Sequence, residues 1–177
     1  MQFKISKTSL LARYVDDIFR SEYHQTIGAN FLIKEIDLNK IIDKCEMHDV
    51  DLIEDLKSKG FKLYFWDIGG QTDKLFVTEY YFIRALGAMV IFNVADKESF
   101  KDLDFWISKM KELSGEIPFI LVGNKIDLEN KRLVSAEEIK KKAEQYNVDY
   151  FETSAKLNES VDKAFEDLSI KILNNFK

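Results

Sequence analysis

Apolar runs of strand length alternate with stretches of helical period along most of this chain, and few architectures satisfy that alternation. It is the pattern of a parallel sheet covered by helices. Leu10, Leu11, Tyr14, Val15 and Ile18 mark a first amphipathic helix. Strands are expected at residues 30–38, 61–66, 87–95, 118–123 and 149–153, the third of them buried on both faces. Helical patterns lie between them at about 78–86, 98–113, 135–146 and 160–174. Ser135 is a helix cap, followed by Glu137 and Glu138 in the first turn. The lone proline, Pro118, stands where a strand begins, a place that tolerates it. There is no internal repeat, low-complexity tract or linker, and 177 residues suit a single domain over residues 1–177.

Composition removes several classes of function. Hydrophobic residues make up 46% and charged residues 32%, a globular balance. A net charge of −5 offers no attraction to nucleic acid or to an anionic membrane. The single cysteine, Cys45, excludes an internal disulfide and suits a reducing compartment. No apolar run approaches the ~20 residues of a membrane helix. No signal-peptide layout opens the chain, and the closing residues contain no cysteine for a prenyl group. A soluble, cytoplasmic monomer with no direct membrane anchor is expected.

Four segments carry chemistry. Asn124-Lys125-Ile126-Asp127 directly follows the fourth expected strand. An aspartate there can accept two hydrogen bonds from the N1 and N2 groups of guanine, and adenine lacks that donor pair. Asn124 and Lys125 would hold the loop and cover the base. Glu152-Thr153-Ser154-Ala155-Lys156 follows the last strand; taken alone it is also what a capped turn before a helix looks like. Trp66-Asp67-Ile68-Gly69-Gly70-Gln71 ends the second strand. An aspartate there can hold Mg²⁺ through water, and a glycine lets a backbone N–H approach a γ-phosphate. Phe19, Tyr23 and Thr26 follow the first helix, where Phe19 could equally be a core residue.

In order and spacing these segments resemble the small GTPases of the Ras superfamily, nearest its Rab-like branch, and the resemblance runs from Lys7 to the last helix. It implies an α/β, P-loop-NTPase-like fold: a mostly parallel six-stranded sheet with five main helices, ligands at the carboxyl ends of the strands. It implies GTP/GDP and Mg²⁺ as ligands, and effector and regulator proteins as partners through two switch regions. Lys7 would contact the β- and γ-phosphates, with Ser9 beside it. Thr8, Thr26 and, through water, Asp67 would hold the metal. Gly70 would approach the γ-phosphate and Gln71 would orient the attacking water as the catalytic residue. Phe19 would stack on guanine, with Tyr23 beside the nucleotide. Asn124, Lys125, Asp127, Ser154, Ala155 and Lys156 would read the base, the Ala155 amide meeting its carbonyl. Gly69 departs from the alanine of Ras and Rab proteins and matches the Arf branch instead.

The pattern breaks in two places. The family's G-x-x-x-x-G-K-[ST] loop wraps the phosphates with backbone N–H groups. Here Lys7-Thr8 remains, Ser6 replaces the last glycine, and Phe3 and Lys4 fall where the loop must approach a phosphate. An ungapped alignment leaves no strand before the loop. A second alignment makes residues 2–5 that strand, deletes the loop and lets Ser6 cap the first helix. A third reading is a shortened form of a longer, intact GTPase. The other break is an insertion near residues 42–60, between the strands that join the switches. Asp49 and Asp51 lead it, Val50, Ile53 and Leu56 form a stripe, and Lys57, Lys59 and Gly60 close it: a helix with proper ends. It reads as a surface elaboration or a partner-binding element lying away from the guanine pocket. Cys45 and His48 are nearby, but two ligands make no zinc site. A GTP/GDP switch with slow hydrolysis and a non-hydrolysing, pseudo-GTPase interaction module both fit this sequence.

Overall fold

The computed structural model describes residues 7–19, 29–69 and 79–175. The helices are α1 (Lys7–Asp16), α2 (Val50–Lys59), α3 (Lys97–Lys101), α4 (Leu103–Ser114), α5 (Ala136–Tyr146) and α6 (Val161–Asn174). The strands are β1 (Ala29–Ile36), β2 (Phe61–Ile68), β3 (Ala88–Asn93), β4 (Phe119–Asn124) and β5 (Tyr150–Thr153). None of these helices is long and apolar enough to cross a membrane.

Strands β3, β4 and β5 form a parallel sheet in that order, with β4 central and buried along its whole length. Helices cover both faces. Ile120 and Val122 point into a core with α1 and α6, through Leu10, Leu11, Ala164, Phe165 and Leu168. Phe119 and Leu121 point the other way, into a core with α4 and α5, through Leu103, Ile107, Met110 and Ile139. Burial on both faces explains why β4 reads as an unbroken apolar run.

Strands β1 and β2 form a separate antiparallel pair, in register from Ala29↔Ile68 to Ile36↔Phe61. Here residues alternate. Leu32, Ile36, Phe61, Leu63 and Phe65 face the first core, while Phe31, Ile33, Tyr64 and Trp66 face outward. The single six-stranded sheet expected from the sequence is therefore not what the described residues form: they give two strands and three. Residues 2–5, which the sequence offers as a further strand before α1, lie outside the described residues.

Three helical expectations need correction as well. Residues 98–113 are not one helix but α3 and α4, divided at Asp102. The Asp96 carboxylate caps α3, and the Asp102 N–H still bonds the Glu98 carbonyl at 3.0 Å, with α4 starting at the next residue. Within residues 79–86 only a 3₁₀ turn forms, Glu79–Tyr81, and Arg84 takes a left-handed φ of 67° that stops further winding. At the first helix, α1 ends at Asp16, so Ile18 falls beyond it. The helix at Ser135 forms as expected, with a full capping box between Ser135 and Glu138.

The insertion helix also forms with the ends its sequence predicts. Asp49 accepts the Leu52 N–H at 3.0 Å, and Gly60 closes it at φ 78°, donating to the Leu56 carbonyl. The stripe divides: Leu56 packs on the first core, Ile53 is half-buried, and Val50 is 64% exposed. Before α2 the chain is anchored more firmly. Leu38 and Ile41 are buried, and Cys45 and Met47 pack on the same core. Lys44 pairs with Glu166 of α6, and the Glu46 N–H donates to Asn174 Oδ1 at 2.7 Å. The insertion leaves the hairpin at Ile36 and returns at Phe61, the end opposite Asp67.

Candidate functional site

The carboxyl ends of β4 and β5 bring two of the predicted segments together. Gly123 precedes the first of them, and a Cβ there would lie 2.9 Å from the Phe92 ring, so glycine lets the strand end seat closely. Asn124, 1% exposed, accepts through Oδ1 from the Thr153 hydroxyl at 3.2 Å and from the Ala155 N–H at 3.2 Å. One side-chain oxygen thus ties the end of β4 to the loop after β5. Its amide nitrogen Nδ2 is buried with no hydrogen-bond partner among the described residues. A buried donor of that kind costs about 1–3 kcal/mol unless a ligand or water takes it. Lys125 turns the chain at φ 70°. Burial lowers its pKa, and the carboxylates of Asp127 and Asp96 oppose that shift.

Asp127 accepts the Ser154 hydroxyl at 2.7 Å, and Ser154 is fully buried. Ser154 Oγ also accepts the Leu157 N–H at 3.1 Å, and its backbone exchanges two hydrogen bonds with Glu159. The Asp127 carboxylate is thereby held at one oxygen and partly open to solvent. Lys156 is exposed. Arg132 bonds both the Val134 carbonyl and the Glu152 carboxylate, bracing the strand that leads into this loop.

The other half of the site lies at the start of α1. Alternation along β2 turns Asp67 inward, where it is 5% exposed, and it accepts the Thr8 hydroxyl. Two residues predicted for the metal therefore meet. Both offer oxygen, the donor type that Mg²⁺ takes alongside several waters, so the pair fits that ion. Lys7 lies with its ammonium 5.8 Å from the centre of the Trp106 ring on α4. Burial lowers its pKa, with the Asp67 charge opposing. Ser9 is half-buried in α1, and Phe19, beyond that helix, packs on the first core. Tyr23, Thr26, Gly70 and Gln71 lie outside the described residues.

Sequence reasoning missed Arg13. On paper it belongs to the polar face of an amphipathic helix, yet its Nε–H donates to the Ala155 carbonyl at 2.9 Å, across 142 positions of chain. No local signal reveals such a bond. With Thr8 near one end of α1 and Arg13 near the other, that helix spans the two halves of the site. At ~1.5 Å per residue it separates those two anchors by roughly 7–8 Å.

Comparison with known proteins identifies the family. The Ras family model matches residues 2–174. Over 170 residues the chain is 33% identical to the Ras-related protein Rab-13 of Bos taurus, covering 96% of this chain and 75% of that protein. It is 34% identical to the Ras-related protein Rab-10 of Caenorhabditis elegans over 170 residues, or 96% and 76% of the two chains. Similarity to the Ras-related protein Rab-3C of Bos taurus is 34% over 165 residues, 93% of this chain and 65% of that one.

Proposed function

The chain belongs to the Ras family, as a Rab-like small GTPase, and on that premise we propose that it is a GTP/GDP switch whose base selectivity rests on Asp127. The observation that carries this reading is the buried network in which Asn124 joins Thr153 and Ala155 while Ser154 holds Asp127. A carboxylate so placed accepts the N1 and N2 donors of guanine, whereas adenine would leave it unpaired. Asn124 Nδ2, buried and without a partner among the described residues, is a donor waiting for an acceptor on the bound base. Competition between GDP and ADP for the purified chain tests the reading; equal affinity would refute it.

At the phosphate end Lys7, now against the Trp106 ring, would bind the β- and γ-phosphates. Thr8, Thr26 and, through water, Asp67 would hold Mg²⁺, which when bound would neutralise phosphate charge. Gly70 would approach the γ-phosphate and Gln71 would orient the water for slow hydrolysis. Ser9, Phe19, Tyr23, Lys125 and Lys156 complete the nucleotide's surroundings.

Effectors and regulators meet the switch regions. Support for such a surface is the outward face of β1 and β2, where Phe31 lies 4.6 Å from Trp66 and Trp66 lies 4.7 Å from Tyr81, ring centre to ring centre. Exposed rings of this kind, with Ile33 and Tyr64 beside them, mark an interaction patch.

A second reading has its own support: residues 3–6, directly before Lys7, contain no glycine. Without a loop to wrap the phosphates, the chain is a pseudo-GTPase that keeps the partner surface and base pocket but does not hydrolyse GTP. Single-turnover hydrolysis with bound GTP separates the two readings.

A further inference from the structure

The Arg13 guanidinium joins two places that are far apart in sequence. Besides Ala155, it reaches Asp17: Nη1 donates to the Asp17 carbonyl at 2.8 Å and to its carboxylate at 2.7 Å. The side chain of Arg13 is 15% exposed, and that of Asp17 is 77% exposed, so the fork is sheltered on its Ala155 side and open on its Asp17 side. Asp17 stands just past α1 with φ 55°, in the left-handed region. The Asp17 and Ile18 N–H groups turn back to the Arg13 and Ala12 carbonyls at 3.0 and 3.4 Å, closing the helix. Ala155 is thus held from both sides, its N–H on Asn124 and its carbonyl on Arg13.

We propose that Arg13 is a positioning residue that clamps the base-reading loop to the exit turn of α1, so that base release is coupled to opening of that turn. The proposal rests on the guanine-binding reading above. A planar fork with fixed donors suits the task, because one group meets Ala155 and Asp17 at once. When the Asp17 turn opens, the fork loses two of its acceptors and the Ala155 carbonyl loses the geometry that held it.

Amide hydrogen exchange of the full chain, and release of a fluorescent GDP, test this. Arg13→Met keeps the length of the stem and removes the donors. Exchange at residues 154–157 is expected to speed up by about tenfold, with α5 unchanged, and GDP to leave about tenfold faster. Arg13→Gln returns an amide donor at the same distance from the backbone as Nε but no counterpart of Nη1, so exchange at residues 154–157 is expected to revert in large part while GDP release stays fast. Should Arg13→Met fail to fold, Arg13→Lys, which keeps the charge but lacks the Nε–H, serves in its place. Uniform acceleration along the chain, no local change in a folded variant, or full return of slow GDP release with glutamine each overturns the proposal. If the unmodified chain holds no guanine nucleotide, the functional reading fails, while the exchange measurement still decides the clamp.

Discussion

The two ends of the candidate site are built differently. At the base end, Asn124, Asp127, Ser154 and Ala155 are joined by hydrogen bonds within the chain. At the phosphate end, Thr8 and Asp67 touch, but Lys7 leans on Trp106, and Thr26, Gly70 and Gln71 lie outside the described residues. On the proposed reading, selectivity for the base would be a matter of preorganisation, whereas grip on the phosphates would depend on a wrapping backbone. A family member can lose the second without dissolving the first, since the two draw on different strands.

The most forceful way to break this contrast is to complete the weaker end. On the pseudo-GTPase reading, placing a G-x-x-x-x-G loop directly before Lys7 is expected to raise GTP affinity by on the order of 10³-fold, because several contacts worth about 1.5–3 kcal/mol each would be made. Equilibrium titration of both chains checks it. Base preference should stay where it was; if it shifts as well, the two ends are not separable.

Next in size is the base end itself. Asp127→Asn is expected to cost about a hundredfold in guanine over xanthine preference, as two charge-assisted bonds are lost and a xanthine-compatible amide appears. Competitive displacement by GDP and XDP measures it. Asn124→Ala leaves the Thr153 hydroxyl and the Ala155 amide without their acceptor, a loss of about 1–3 kcal/mol of stability. Urea denaturation reads that directly, and an undiminished midpoint would show that the base end is not held together as described.

Replacing residues 43–59 by a tight turn sharpens the comparison from outside. Loop shortening carries little entropic cost, but Leu56, Cys45 and Met47 leave the core and Lys44 leaves Glu166. Stability is expected to fall by about 2–5 kcal/mol, with base preference unaltered. Calorimetry and nucleotide competition on the same sample distinguish the two quantities.

The smallest effect concerns acid. Glu138 is pulled down to about 2 by its bond to Lys97 and by the Ser135 N–H. A carboxylate whose folded pKa is depressed stabilises the fold above its ordinary range, near 4.5, and that contribution disappears as pH falls toward 2. Glu138→Gln should therefore lower Tm slightly at pH 7 and not at all near pH 2. A constant difference across that window would contradict the pairing.

How much of this could be read from the sequence follows from the range of each interaction. The loops after β4 and β5 were legible because strand, turn and motif are contiguous. The insertion helix was legible because Asp49 and Gly60 are local signals for its two ends. The division at Asp102 was not, since Phe100 and Leu103 keep the apolar period while the backbone turns between them. The turn at Arg84 was hidden for the same reason. The grouping of the described strands into a pair and a triple was not legible either, because no residue of β2 or β3 specifies which strand lies beside it. Arg13 lay beyond sequence reasoning altogether, because its partner is set by tertiary packing.

The mooring of the insertion to α6 has a mechanical consequence. A plain hairpin is a cantilever, fixed at its strands and free at its tip. Here the far end is pinned as well, by Lys44 on Glu166 and by the Glu46 N–H on Asn174. A beam supported at both ends cannot tilt as a lever without shearing one of its supports. Any displacement at the Trp66 end of the hairpin must bend the strands or carry α6 along with it.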